Sequence, residues 1–223
     1  MNNFDLTIYN FIYGLHSPFL TMFMRIISSL GSVIVIITAL LCIFLLFKDK
    51  KIFLQFFTLT FITKVINHII KIIVKRDRPS VLTSISVESG YSFPSAHTMV
   101  STVFYGFMIY LIMKNIKNKK LKNTLAVILS LVILLIGISR IYLGVHYATD
   151  VIFGFIFGLI ILFIFVKLAY RKSIKNISFE TINNSNNSSY EKEPEHNVSE
   201  KNITKANSKI KHRSNKKISK KIK

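Results

Sequence analysis

Three short polar clusters interrupt an otherwise apolar chain: Lys71 with Arg78-Pro79, then Pro94-Ser95-Ala96-His97, then Ser139-Arg140 with His146 and Asp150. They read K-x6-RP, PSxH and SR-x5-H-x3-D, in that order. Together they supply three cations, two histidines and a carboxylate. Such a set can neutralise the oxygens of a phosphate and attack its phosphorus with an imidazole. Each cluster borders a hydrophobic run, so the expected substrate is a phosphate group at a membrane surface.

Lys71 and Arg78 are seven residues apart, about two helical turns. They share a face if the helix continues that far, with Pro79 ending it. Two cations on one face can bracket a phosphate, and the guanidinium adds a bidentate fork. The competing account is a juxtamembrane side chain that snorkels to the interface; Lys75 and Arg76 are assigned to that account. Ser95, Ala96 and His97 follow Pro94 and open an apolar helix, where free amides and the helix dipole favour an anion. Ser95 as a plain N-cap and His97 as an interfacial histidine stay open; as a catalyst His97 would protonate a departing oxygen. His146 and Asp150 are four apart. On a helix they share a face, and a carboxylate on one imidazole nitrogen leaves the other free to attack. Arg140 would then clamp phosphoryl oxygens. An ordinary helix-end ion pair is the alternative for this trio, although ionisable groups beside membrane segments are usually functional. Lys64 and Asn67 lie on the face of Lys71 and are expected to pack or hydrogen-bond. Tyr91, Tyr142 and Tyr147 are expected to be interfacial anchors or pocket walls.

The apolar runs must hold these clusters. The chain is 51% hydrophobic, with a mean hydropathy of +0.45. Val33–Phe47, Thr98–Met113, Thr124–Ile138 and Val151–Val166 carry no charge, and Ile52–Val74 carries only Lys64, His68 and Lys71. About 18–20 apolar residues cross a bilayer. The expected fold class is therefore all-α: a polytopic transmembrane helix bundle. Its spans fall near 30–47, 52–74, 96–113, 123–140 and 147–168, about five in all, or six if residues 18–30 cross separately. Gly31 would kink or separate that last pair. Residues 1–17 form an interfacial amphipathic helix, residues 18–170 the transmembrane domain, and residues 171–223 a basic, disordered tail. The lone Cys42 sits in an apolar run as a packing residue. Gly154 and Gly158 form a G-x3-G pair suited to helix packing or a homodimer.

The net charge of +20 is spread over short loops, the motifs and the tail, a distribution that argues for a lipid bilayer and against nucleic acid. Lys48–Lys51, Lys114–Lys122 and the tail are basic, which places them in the cytoplasm. Five spans then put loops 75–95 and 140–147, and all three motifs, on the extracytoplasmic face.

The motifs resemble the three signature motifs of the type 2 phosphatidic acid phosphatase and vanadium haloperoxidase superfamily, over about residues 20–170. The resemblance implies that His146 is a nucleophile forming a phosphohistidine, that Asp150 orients it, and that His97 is the general acid. It implies that Lys71, Arg78, Ser95, Ala96 and Arg140 hold the phosphate. Ala96 stands where the family usually has glycine, which allows closer approach to an anion. Three cations and helix-start amides suffice for phosphoryl transfer, so no metal or other cofactor is expected. The implied function is an integral plasma-membrane phosphatase acting on a lipid. Undecaprenyl pyrophosphate is favoured, with phosphatidylglycerophosphate or phosphatidic acid next. A lipid phosphotransferase and a non-catalytic binder of anionic lipids are the alternatives.

Overall fold

The computed structural model describes residues 3–46, 50–79, 85, 86 and 88–190, with residues 170–190 as backbone alone. Among these residues there are seven helices and no strand: α1 (Asn3–Tyr13), α2 (Pro18–Ser29), α3 (Val33–Leu46), α4 (Lys50–Val74), α5 (Ala96–Asn115), α6 (Lys119–Tyr142) and α7 (Ala148–Tyr190). Residues 1–171 form one compact unit and 172–223 a second. The expected disordered tail falls on the second unit: its residues through Tyr190 are helical, and residues 191–223 lie outside the described residues.

Helices α4, α5, α6 and the Ala148–Ala169 part of α7 are each long and apolar enough to cross a membrane. The α2–α3 pair passes the same test jointly, with a bend of 48°. Gly31 lies in that bend, where a Cβ would come within 2.8 Å of Ile136 Cγ2 and of Ser101 Oγ. The expected kink is therefore a close approach of the α2–α3 turn to α5 and α6. Tyr105 closes it by donating its hydroxyl to Leu30 O at 2.9 Å.

Helix α5 is the centre of the bundle. Its residues Thr98 to Phe104 are all buried, and so is Phe107, as expected of a helix enclosed on every side. It packs against α4 and α6, while α2 and α1 pack on α6 and α3 on α4. A shared core joins Ile36 and Leu40 of α3, Phe56 and Leu59 of α4, and Val100, Val103, Phe104 and Phe107 of α5. The outer faces carry large exposed apolar side chains such as Phe19, Ile34, Leu45, Ile73 and Phe163, which water would not tolerate at this density. Helix α1 lays Ile8 and Ile12 on Ile141, Ala148 and Val151 and leaves Phe4, Phe11 and Tyr13 exposed. It has the two faces of an interfacial helix.

The G-x3-G pair serves packing within the chain. A Cβ on Gly154 would meet Ser95 O and Thr98 Cβ at 3.1 Å, and one on Gly158 would meet Thr102 Cβ at 2.8 Å. These two glycines bring α7 against the start of α5, where the PSxH motif lies. Gly158→Val should therefore overpack that contact and cost about 1–3 kcal/mol. The check is the thermal melting temperature of the purified protein in detergent, which should fall; an unchanged value would mean that α7 and α5 can separate freely.

Candidate functional site

The three motifs meet at one end of the bundle. The first does not do so on a continuous helix. Helix α4 ends at Val74, because Lys75 adopts a left-handed φ of 50°, an ending that terminates helices. Lys71 and Arg78 therefore do not share a helical face, and Pro79 is not what stops the helix. Lys71 Nζ donates to the carbonyls of Tyr91 and of Ser92, the latter at 3.2 Å, and so pins the chain leading into the second motif. Arg78 donates from Nε to Gly90 O at 2.9 Å, from Nη2 to Ser89 O at 3.2 Å and from Nη1 to Val145 O at 2.9 Å.

The second motif is fixed from two sides. Asn67 Nδ2 donates to Pro94 O at 3.1 Å, which is the hydrogen-bonding role expected of it. The Ser95 amide donates to Asp150 O at 3.0 Å. Ser95 is the N-cap of α5: its Oγ accepts from Thr98 Oγ1 at 3.0 Å and from Thr98 N at 3.5 Å. Both bonds use the oxygen as acceptor and leave the hydroxyl proton to donate. Ala96 opens the helix, and His97 follows it in the same first turn.

The third motif owes its shape to a helix end. Gly144 has a φ of +71°. Its amide donates to Ile141 O at 2.9 Å and that of Val145 to Arg140 O at 3.2 Å. This 6→1, 5→2 pattern is a Schellman ending, and it turns the chain so that His146 comes back beside Arg140. His146 precedes α7 rather than sharing its face with Asp150. Asp150 sits in the first turn of α7, where Oδ2 accepts from Tyr147 N at 3.0 Å and faces His146 Nδ1 at 3.4 Å. His146 is 1% exposed. Burial pushes its pKa down to about 4, with Arg140 and Arg78 adding to the fall and the Asp150 hydrogen bond opposing it. The ring is thus neutral near pH 7. With Nδ1–H toward Asp150, Nε2 keeps its lone pair.

Arg140 is 3% exposed. It donates Nη1 to Ser28 Oγ at 2.5 Å and Nη2 to Glu88 Oε1, while its buried Nε has no hydrogen-bond partner among the described residues. Glu88 Oε2 lies 3.2 Å from Arg78 Nη1, and that same Nη1 is 3.4 Å from His146 Nε2. Burial would raise the Glu88 carboxyl. Arg140, His97, Arg78 and His146 together hold it below the ordinary carboxylate range. A carboxylate thus bridges two of the cations expected to hold a phosphate, Arg78 and Arg140.

Sequence reasoning missed four residues here. Glu88 lies in the loop 75–95 outside every motif, and Ser28 carried no signal. Arg76, assigned to snorkelling, instead donates to Asp150 Oδ1 at 2.6 Å, to Thr149 Oγ1 at 2.6 Å and to Asp5 Oδ2 at 2.7 Å. Asp5 had one available signal: it is the only acid among residues 1–48. Two of the tyrosines expected to be interfacial anchors or pocket walls are tied into the protein. Tyr142 is buried, with its hydroxyl shared between Thr21 Oγ1 at 3.0 Å and Ser17 N at 3.2 Å. The ring of Tyr147 lies under Arg76, 4.1 Å from the guanidinium carbon.

The model of the PAP2 superfamily matches residues 52–174. Phosphatidylglycerophosphatase B of Bacillus subtilis (strain 168) is 36% identical over 102 residues, which are 45% of this chain. The match spans 50% of that relative's length. The crystal structure of a transmembrane PAP2 type phosphatidylglycerolphosphate phosphatase from Bacillus subtilis superposes with a TM-score of 0.69 at 29% identity, over 75% of this chain and 85% of that one. Aquifex aeolicus LpxE gives a TM-score of 0.60 at 26% identity, over 73% of this chain and 94% of its own.

An added anion should compete with Glu88 for the two guanidinium groups. In calorimetric titration of the detergent-solubilised protein, Glu88→Gln should bind orthophosphate about tenfold tighter than the unaltered chain, a gain of ~1.4 kcal/mol. Arg140→Ala should bind it about tenfold or more weaker. Equal affinities in all three proteins would mean that the arginines do not form the anion site.

Proposed function

Because the chain belongs to the PAP2 superfamily, we propose that it is a membrane lipid phosphatase that works through a phosphohistidine. The observation that carries this reading is the Glu88 carboxylate. An anion held by Arg78 Nη1 at 3.2 Å lies beside a nitrogen lone pair only 3.4 Å from the same Nη1. A phosphoryl group displacing Glu88 would meet the Arg140 Nε, the Arg140 and Arg78 forks and the hydroxyl proton of Ser95. These are fixed donors in a site of low dielectric, where they stabilise developing charge most strongly.

In the proposed first step, His146 Nε2 forms a bond to phosphorus and the bond from phosphorus to the lipid oxygen breaks. His97, in the protonated form that a bound phosphate anion favours, gives its proton to that oxygen, and the lipid leaves as an alcohol, or as a monophosphate when the substrate is a pyrophosphate. Asp150 stabilises the positive charge that the His146 ring acquires. In the second step, water attacks the phosphohistidine, His97 takes the water proton, and orthophosphate departs as the P–N bond breaks. Lys71 acts by holding residues 91–92, at one remove from the phosphate.

Relatives named for phosphatidylglycerophosphate support that lipid as the first substrate to offer. Undecaprenyl pyrophosphate and phosphatidic acid present the same phosphate chemistry. The purified chain in detergent with EDTA should release phosphate from at least one of the three, and His146→Ala should lower the rate by about 10³-fold or more. Activity lost in EDTA and restored by Mg²⁺ would overturn the metal-free scheme, and no release from any lipid by folded protein would overturn the phosphatase reading.

The active site is proposed to face the extracytoplasmic side, since the basic loops mark the other. A reporter fused after residue 118 should be cytoplasmic and one inserted near residue 85 external; the reverse pattern would place the chemistry in the cytoplasm.

A further inference from the structure

Asp5, on α1, is 1% exposed, and Asp150 is 0% exposed. The Arg76 guanidinium lies between them, with Nη1 on Asp150 Oδ1 at 2.6 Å and Nη2 on Asp5 Oδ2 at 2.7 Å. Thr149 completes the link. Its amide donates to Asp5 Oδ1 at 2.9 Å and its hydroxyl reaches Asp5 Oδ2 at 2.8 Å. Burial would raise the Asp5 carboxyl, but the bonds from Thr149 and Arg76 hold it below its ordinary range. A buried carboxylate is costly unless fully paired. Nothing in the packing of α1 on Ile141 and Val151 requires one.

Two consequences follow for Asp150. Arg76 occupies Oδ1, so the carboxylate cannot rotate about its last torsion, and Oδ2 stays turned to His146. Arg76 alone would also cancel the Asp150 charge, which His146 needs when its ring becomes cationic. Asp5 offsets Arg76, so the three groups together keep one negative charge beside the imidazole. We propose that Arg76 and Asp5 are positioning residues of the active site: Arg76 orients Asp150, and Asp5, carried by the N-terminal helix, preserves its charge. Asp5 lies outside the matched residues 52–174, so this makes α1 a working part of the site that the family model does not cover. The inference rests on His146 being the nucleophile.

A purely structural role competes with this one, because Asp5 also accepts from an amide in the first turn of α7, where Tyr147 offers no short capping side chain. The test uses the full chain in detergent micelles containing phosphatidylglycerophosphate. Asp5→Asn should lower kcat about 10–100-fold, the usual cost of removing a group that orients a reacting side chain, with KM within about twofold. His146 is faced by Asp150 from α7, Arg140 from α6, His97 from α5, and Arg78 and Glu88 from the α4–α5 connection. Losing Asp5 leaves Arg76 uncompensated, so the acid limb of kcat/KM, corrected for ionisation of the substrate phosphate, should move below its position near the His146 value of about 4. Asp5→Glu should recover part of kcat. A lower melting temperature with unchanged kcat and an unmoved limb would overturn the proposal in favour of capping. Should Asp5→Asn not fold, Arg76→Lys keeps the charge and loses one arm of the fork: the same kcat loss at constant KM is expected, and full kcat overturns the proposal. A wild-type chain inactive on every lipid would overturn the phosphatase reading itself, whereas an active wild type with an equally active Asp5→Asn sinks this inference alone.

Discussion

Asp150 ties the three motifs into one site. Its backbone carbonyl takes the Ser95 amide, so the second motif is registered against the third by a main-chain bond. One carboxylate oxygen holds Arg76, at the end of the first motif's helix. The other accepts the Tyr147 amide and faces His146. With 0% exposure, the carboxylate has no access to water as a substitute partner. An unpaired buried donor or acceptor costs more than a made bond yields, so these partners are mutually dependent. Displacing any of them would loosen helix α7, the start of α5 and the histidine together.

The cations pose the opposite problem. Arg140 is nearly wholly buried and Arg78 stands close by, so the site holds excess positive charge where solvation is poor. Glu88 relieves it by bridging the two. This arrangement selects for an anion of suitable shape. A phosphoryl group brings more charge and more acceptor oxygens than a carboxylate, and it can also use the Arg140 Nε that has no partner among the described residues. On the proposed function, Glu88 holds the site together and a phosphate would satisfy it better, which would let the site persist between turnovers without collapsing.

The architecture was largely legible from the uncharged runs, because a membrane span must be both long and free of charge. The apolar spans begin and end within a few residues of the expected ones, although helix α7 continues past its span to Tyr190. The motif residues stood out in the sequence because histidines and arginines are rare and expensive at such depths, and the structure gathers them at one end of the bundle. What stayed hidden were contacts between residues far apart in the chain. Arg76 meets Asp150 across 74 positions and Asp5 across 71, and a cation next to Lys75 at a helix end looks the same whether it snorkels or is buried. The expected span 52–74 ends where α4 does, but the conditional continuation to Pro79 does not occur, since a left-handed lysine has no signature, whereas Pro79 has an obvious one. Tyr142 could be an anchor or a pocket wall for a related reason: a tyrosine at membrane-interface depth can face lipid or protein. Only its partners Ser17 and Thr21, more than a hundred residues earlier, decide which.

The clustering of the motifs at one end follows from helix polarity. Short connections make successive helices antiparallel, and the Lys71 and Asn67 bonds to residues 91–94 confirm that α5 starts where α4 ends. One end of the bundle therefore gathers the C-termini of α4 and α6 with the N-termini of α5 and α7. Helix dipoles favour cations at C-termini and anions at N-termini. Arg140 lies in the last turn of α6 and Asp150 in the first turn of α7, each at the end that stabilises its sign. The free amides at the start of α5 add a further attraction for an anion. In this topology the opposite end would offer the reverse pairing, with N-termini of α4 and α6 and the C-terminus of α5. Its lysines, Lys50, Lys114 and Lys119, sit at helix ends of both polarities, as solvated charges do when no buried partner constrains them. The chemistry-bearing charges obey the dipoles because they are buried, and burial makes the dipole large enough to matter.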